Sequence, residues 1–480
     1  MRWHAAYAQL PGGLVSDVLI EAEDGRFTSI QAGVPRADLG HVERLPGVVL
    51  PGFANTHSHA FHRALRGRTH AGAGTFWTWR EAMYALAQRL DPDRYMALAR
   101  ATYAEMALAG ITSVGEFHYL HHQGGGRPYD HPNEMAHALT QAADDAGIRL
   151  TLLDTCYLAG GLTADNSTPT GRGSAGVGPG VAAGAIDSID GPAWAVARHL
   201  PLSDQQRRFG DADVEAWAER VSALRDHTDG GPKHLRVGVA AHSVRAVPAA
   251  DLPTIVDVAR QRSDAPVHIH LSEQPAENEA CTAAYGRSPT ELLDHHGLLG
   301  PSIPALHATH LSELDIQLLG KAGATAAFCP TTERDLADGI GPARALHDAG
   351  ARLALGTDQH AMIDMFEEIR GLEMHERLCS GQRGRLSLTD LLTTATRHTS
   401  IGWPDAGTIT VGQRADLVAV RDDTVRTVGS DPAQILMSAT AADVDTVVAG
   451  GTTVVSQGRH RLGDVATLMR EALTAVTGDN

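Results

Sequence analysis

Lysine is nearly missing from this chain. Of 480 residues 40 are basic, and of these only Lys233 and Lys321 are lysines. Schiff-base chemistry, or a lysine bridging two metal ions, has only those two side chains to use. Cysteine is scarce as well. The four at 156, 281, 329 and 379 lie far apart and form no CxxC pair, which argues against a disulfide frame or a thiolate zinc site and fits a reducing compartment. Any metal must then be held by histidine and carboxylate. Positive charge is in deficit, 40 Lys+Arg against 57 Asp+Glu for a net −17, which argues against a nucleic-acid binder working through phosphate contacts. No apolar run approaches the ~18 residues of a membrane span, and Met1–Tyr7 lacks the apolar core of a signal peptide. A soluble, cytoplasmic protein with no membrane partner is expected. A Gly-rich phosphate loop early in the chain is also missing, which weighs against a doubly wound nucleotide-binding sheet.

What is present is ordinary globular composition, 43% hydrophobic and 20% charged, at a length that allows about three domains or one large α/β barrel with a smaller companion. Eight short apolar runs recur, each ending in polar residues and followed by helical spacing: 48–56, 111–115, 148–157, 235–242, 266–273, 305–310, 324–331 and 352–358. Asp91-Pro92-Asp93 reads as an N-cap with proline in the first turn, ahead of apolar spacing through Met96, Ala99, Tyr103 and Met106 that Gly110 ends. Eight strands alternating with helices is the count of a (β/α)8 TIM barrel, whose chemistry sits at the C-terminal strand ends.

The termini differ. Residues 1–50 and 404–480 carry short β-like runs with turn signals, and are expected to build one small flanking β-sandwich domain, the second half closing with a helix, around a barrel over 51–403. Between 159 and 202 lies a stretch dense in Gly, Ala, Ser, Thr and Pro, read as a mobile loop after the third strand, either a lid or a neutral insertion.

His57-Ser58-His59 puts two imidazoles on one face at the end of the first strand. His268-Ile269-His270 ends the fifth. His57, His59, one of His268 and His270, and Asp358 make three imidazoles and a carboxylate, a set suited to Zn²⁺ or Fe²⁺ with a position left for water. His270 is favoured over His268, being nearer the strand's C-terminal end and opening His270-Leu271-Ser272-Glu273, which puts a carboxylate just beyond the ligand.

The order Pro51-Gly52-Phe53-Ala54-Asn55-Thr56-His57-Ser58-His59, His270-Leu271-Ser272-Glu273, His307 and Gly356-Thr357-Asp358 resembles the deaminase branch of the amidohydrolase superfamily. The resemblance implies a (β/α)8 barrel with a flanking β-sandwich, a single divalent metal, a water nucleophile and a homodimer. Within that branch, His59–Ala64, Phe76–Tyr84 (FWxWR), Glu116–His122, Gln206–Phe209, His242–Val247 (HSxRAV) and Cys329–Glu333 look like the formimidoylglutamate deiminases of histidine degradation. That family hydrolyses N-formimino-L-glutamate to N-formyl-L-glutamate and ammonia. His62 stands where the family commonly has Gln.

A metal lowers the pKa of bound water from 15.7 toward ~7. In that chemistry Glu273 is the general base and acid, Asp358 both binds metal and relays a second proton, and His307 stabilises charge on the tetrahedral centre. A substrate with two carboxylates calls for fixed guanidinium groups, and Arg80 and Arg245 occupy the resembling segments. Tyr119 and His62 add hydrogen bonds, and His242 is a further pocket residue. Strand four ends in His242, with Lys233 before it begins, so no carboxylated lysine is available there and one metal is expected. Two other readings stay open. One is a deaminase of another amidine or an aminated ring, which would not need two guanidiniums. The other is a non-catalytic scaffold barrel, which would not need Glu273 and His307.

Overall fold

The protein was analysed as a computed structural model, which describes residues 1–35, 39–40, 42–71, 74–165, 196–228, 233–262 and 265–478. Eight strands form one parallel sheet: Phe53–Ser58, Ile111–His118, Arg149–Cys156, Leu235–Ala241, Val267–Leu271, Pro304–His307, Thr325–Phe328 and Arg352–Leu355. Each overlaps one of the eight apolar runs. The first and eighth meet through a bridge between Ser58 and Asp358, with His57 O accepting from Asp358 N at 2.9 Å, so the sheet closes into a barrel. The seam is tight. A Cβ at Gly356 would lie 2.7 Å from His57 Cβ, so only glycine lets the eighth strand pass there. Asp91 caps helix Pro92–Leu108 as its sequence predicts, accepting from Arg94 N at 2.8 Å.

A second eight-stranded sheet joins both termini, in the order Arg459–His460, Thr452–Ser456, Val444–Ala449, Leu417–Val420, Glu43–Pro51, Arg2–Leu10, Gly13–Glu23, Arg26–Gln31. Its halves meet where Glu43–Pro51 runs antiparallel to Leu417–Val420. The side-chain period of two divides its faces. Trp3, Ile20, Leu45, Val49, Leu417 and Ala419 form a core of their own, whereas Val48, Leu50, Val418 and Val420 belong to the core of the barrel. Helix Val465–Thr477 ends the fold and packs on Pro92–Leu108. Among the described residues no helix is long and apolar enough to cross a membrane.

Two expectations need correcting. The 48–56 run is not one strand. It divides at Gly52, Glu43–Pro51 joining the terminal sheet and Phe53–Ser58 the barrel, because a side chain at Gly52 would overlap Thr112 and Asp416 where the two sheets meet. The 159–202 stretch is not all loop, since Gly161–Asp165 and Val196–Leu200 pair as an antiparallel ribbon. Residues 166–195, including the Gly171–Gly180 run, lie outside the described residues.

Candidate active site

The C-terminal ends of the barrel strands bring His57, His59, His270, His307 and Asp358 to one point. His57 Nε2 lies 3.1 Å from His270 Nε2 and 3.2 Å from Asp358 Oδ1, and His59 Nε2 lies 3.4 Å from that same oxygen. In a tetrahedral site with bonds of ~2.05 Å the donor atoms sit about 3.3 Å apart, which these three distances approach, and the donors form two groups sharing His57, His57/His59/Asp358 and His57/His270/His307, each within 4.8 Å and each able to hold a metal ion. The outer ring nitrogens agree. His59 Nδ1 meets Phe117 O and His270 Nδ1 meets His242 O, both at 2.9 Å. A carbonyl only accepts, so each Nδ1 carries the proton and each Nε2 keeps its lone pair for the centre. Burial and the neighbouring imidazoles hold His59 and His270 well below the usual histidine range, in the neutral form that binds metal. Burial opposes ionisation of Asp358, but His57 and then His307 outweigh it and keep the carboxylate charged. His268 does not join this cluster. Its Nε2 turns to Ser400 O at 2.8 Å.

Glu273 and His307 stand beside the cluster, His307 Nε2 being 3.7 Å from Glu273 Oε1 and 3.9 Å from Asp358 Oδ2. Burial disfavours the His307 cation, yet Glu273, Glu333 and Asp358 around it push its pKa up to about 10. Burial raises that of Glu273, against the pull of His307. His307 (φ 67°) and Asp358 (φ 42°) both hold left-handed backbone, a conformation that costs a non-glycine residue ~1–3 kcal/mol and concentrates at functional sites.

A cavity opens on this cluster, walled by His62, Arg80, Tyr119, His242 and Arg245 together with His59, His270, Glu273 and Asp358. Phe76, Trp79, Met83 and Leu336 supply its apolar wall. Arg80 Nη2 donates to Tyr157 Oη at 3.3 Å, and its guanidinium lies 5.5 Å from the centre of the Trp77 ring and 5.2 Å from that of Tyr84. Arg245 Nε is 3.6 Å from Glu277 Oε2. His62 Nε2 and Tyr119 Oη share a hydrogen bond of 2.9 Å, and burial brings His62 down to about 3, so it is neutral near pH 7. His242 Nδ1 meets Ser243 Oγ at 3.2 Å, and its ring lies 5.0 Å from that of His270.

Sequence reasoning gave no role to three neighbours. Glu116 accepts from Ser58 Oγ at 2.5 Å and Ala60 N at 2.7 Å, which pins the turn carrying His57 and His59. The Phe117 ring wedges against those two imidazoles and His270. Glu333, held by Cys329 N at 2.8 Å, faces His307 Nδ1 at 3.7 Å. The available signal was position: Glu116 follows Gly115 at the end of the second strand, and Glu333 closes the Cys329–Glu333 segment. A larger hollow of about 700 Å³ lies at the opposite end of the strands. Arg149 is engaged there with Asp416, Arg414 with Asp405 and Arg236 over Trp403, and among the described residues its lining offers no comparable donor cluster.

Comparison with known proteins agrees with this geometry. The amidohydrolase family model matches residues 48–454. A formimidoylglutamate deiminase of Pseudomonas aeruginosa is 34% identical over 95% of each chain, and an 8-oxoguanine deaminase of the same organism is 29% identical over 95% of this chain and 92% of the relative. The crystal structure of an amidohydrolase from Brucella melitensis superposes with a TM-score of 0.85 at 32% identity, covering 99% of both chains. With the match running from the strand that links the two sheets almost to the end of the terminal one, the chain belongs to the amidohydrolase family.

Proposed function

We propose that this protein hydrolyses N-formimino-L-glutamate to N-formyl-L-glutamate and ammonia, with one divalent cation, Zn²⁺ before Fe²⁺, held by His57, His59, His270 and Asp358. The observation that carries the reading is the pairing, in one small cavity, of that donor cluster and Glu273 with two guanidinium groups, Arg80 and Arg245. A linear amidine bearing two carboxylates matches both halves. A neutral ring has no use for the second half, which ranks ring deamination below it despite the 8-oxoguanine deaminase among the relatives.

Bound at the donor cluster, the cation supplies the Lewis acidity that makes water a nucleophile near neutral pH. Glu273 takes one proton from the attacking water and delivers it to the imino nitrogen. Asp358 accepts the second proton and relays it to the same nitrogen as the tetrahedral carbon collapses to the formyl group, so that the carbon–nitrogen bond breaks and the nitrogen leaves as ammonia. The His307 cation, backed by Glu333, steadies negative charge developing beside the carbon. Arg80 and Arg245 hold the carboxylates, His62 and Tyr119 bond the polar middle of the substrate, and His242 closes the wall. A place in histidine breakdown, a cytoplasmic location and a homodimer accompany this reading.

The test is ammonia release from N-formimino-L-glutamate by metal-loaded protein, beside N-formimino-L-aspartate, guanine, cytosine and a Glu273→Gln control. Release from the glutamate compound that the control loses by ~10²–10⁴-fold supports both the reaction and the base. Release only from a ring substrate overturns the roles of Arg80 and Arg245 and leaves the metal assignment standing.

A further inference from the structure

The two arginines of the cavity are supported differently. Arg80 rests on neutral groups, Tyr157 through a hydrogen bond and Trp77 and Tyr84 through their rings. Arg245 has a carboxylate, Glu277, 3.6 Å from its Nε, and among the described residues no other carboxylate comes within 4.0 Å of its guanidinium. Glu277 is fully buried in the first turn of helix Pro275–Tyr285, one turn beyond Glu273. Neither of its oxygens has a hydrogen-bond partner of ordinary geometry.

That is an expensive arrangement. A carboxylate taken out of water without good hydrogen bonds is destabilising by several kcal/mol unless a cation offsets it. Burial, with the Glu273 carboxylate adding to it, pushes its pKa up to about 7, while Arg245 and, more weakly, His307 and the Glu273 backbone pull the other way. At the third position of a helix a glutamate ordinarily reaches back to bond the N-cap amide, and Glu277 forms no such bond. Helix capping therefore does not account for it, nor does packing, which an apolar side chain of that size would serve better. What it does face is the back of a guanidinium that lines the cavity.

We infer that Glu277 is a positioning residue: it anchors the Arg245 guanidinium from behind and fixes how that group receives one carboxylate of the substrate, so that it sets the preference for a dicarboxylate without touching the reacting atoms. The inference rests on the deimination reading for its substrate and on the Arg245–Glu277 geometry for its mechanism. The anchor is not interchangeable with the one behind Arg80. A neutral replacement for Glu277 leaves Arg245 without an ionic partner, whereas Arg80 has none to lose.

Glu277→Gln keeps the shape and removes the charge. The expected result is a rise of about tenfold in KM for N-formimino-L-glutamate with kcat within about threefold, because an interaction remote from the reacting carbon acts on binding. Glu277→Asp, which keeps the charge one methylene further back, lies between the two. Two analogues, N-formimino-L-glutamine and N-formimino-L-isoglutamine, each lack one carboxylate. For the one that lacks the group Arg245 holds, Glu277→Gln changes KM by less than about twofold, and it adds nothing to Arg245→Met with the native substrate. Glutarate affinity, measured by calorimetry on the metal-loaded protein, falls about tenfold in Glu277→Gln and reads the same coupling without turnover. Wild-type protein that releases no ammonia sinks the deimination reading, while the glutarate arm still decides this one. The inference is overturned by unchanged glutarate affinity, by an equal effect on both analogues, by additivity with Arg245→Met, or by a lowered melting temperature with no selective effect on KM.

Discussion

His398 sits at the joint between the two sheets, fully buried, with Nε2 donating to Gly52 O at 2.9 Å and Nδ1 accepting from Ser113 Oγ at 3.0 Å. Ser113 is in turn held by Arg149 Nη2 at 2.7 Å, which fixes the direction of the hydroxyl proton. Burial, with Arg149 adding to it, brings the pKa of His398 from 6.5 to about 4. The folded chain therefore keeps His398 neutral where the unfolded chain protonates it. A histidine depressed in this way contributes its stability in full above pH 6.5 and loses it as pH falls toward 4. A shift of that size is worth about 3 kcal/mol over the whole window, of which about 2 kcal/mol is gone by pH 5. His398→Gln can still donate to Gly52 O but has nothing to titrate. Other buried histidines titrate too, so the measurement is a difference, wild type minus variant, from urea unfolding at pH 7 and at pH 5. The advantage of wild type should shrink by about 2 kcal/mol between the two. A difference that stays constant within about 0.5 kcal/mol would refute the reasoning and show that the site hydrates or rearranges to accept the proton.

The cluster at the barrel mouth separates two histidines that sequence leaves side by side: His270→Asn should abolish stoichiometric metal by elemental analysis, while His268→Asn keeps the metal and loses about 1–3 kcal/mol with its bond to Ser400. Glu116→Ala should cost about 2–4 kcal/mol and lower metal occupancy, because it strands the Ala60 amide and leaves Ser58 Oγ only its 3.2 Å contact with His360 Nε2, and Glu116→Gln should restore much of both by accepting again from Ala60 N. Arg220 joins Asp154 at 2.6 Å and Asp211 at 2.8 Å in a buried cluster. Arg220→Met should destabilise by about 3–5 kcal/mol, read by urea unfolding, with ammonia release per folded molecule unchanged; a fall in that rate would mean the cluster acts on the site.

The barrel was legible because its strands are buried on both faces over most of their length, the starts of Leu235–Ala241 and Arg352–Leu355 excepted, and so read as continuous apolar runs, each stopping where a polar side chain enters the mouth. The division at Gly52 was not, because 48–56 keeps one apolar pattern throughout and the break is imposed by Thr112 and Asp416, which no local pattern reports. His268 and His270 share one face of their strand, and His270 was favoured on position alone because only the last residues of a strand reach the mouth; the fold turns His268 to Ser400 instead. The expectation that His62, Arg80, Tyr119, His242 and Arg245 share one wall came from the resembling segments, and the cavity brings all five together.

The groups that orient these side chains left no comparable trace. Glu116, Glu333, Glu277 and Tyr157 act through partners on other elements, so their meaning lies in pairs that spacing along the chain does not encode. Arg80 and Arg245 are a case in point. As residues they are the same, one arginine in each motif, and on sequence alone they would be assigned equal parts. In the fold one cation meets the cavity with its charge offset by a buried carboxylate and the other meets it supported by phenol and indole rings. On the proposed reading an incoming dicarboxylate would meet two different potentials, stronger on the Arg80 side, where the guanidinium rests on neutral groups. Each carboxylate would thereby take its own place, with the amidine directed toward Glu273 and the donor cluster, so that the motifs supply the reacting groups and the charge placed behind them orients the substrate.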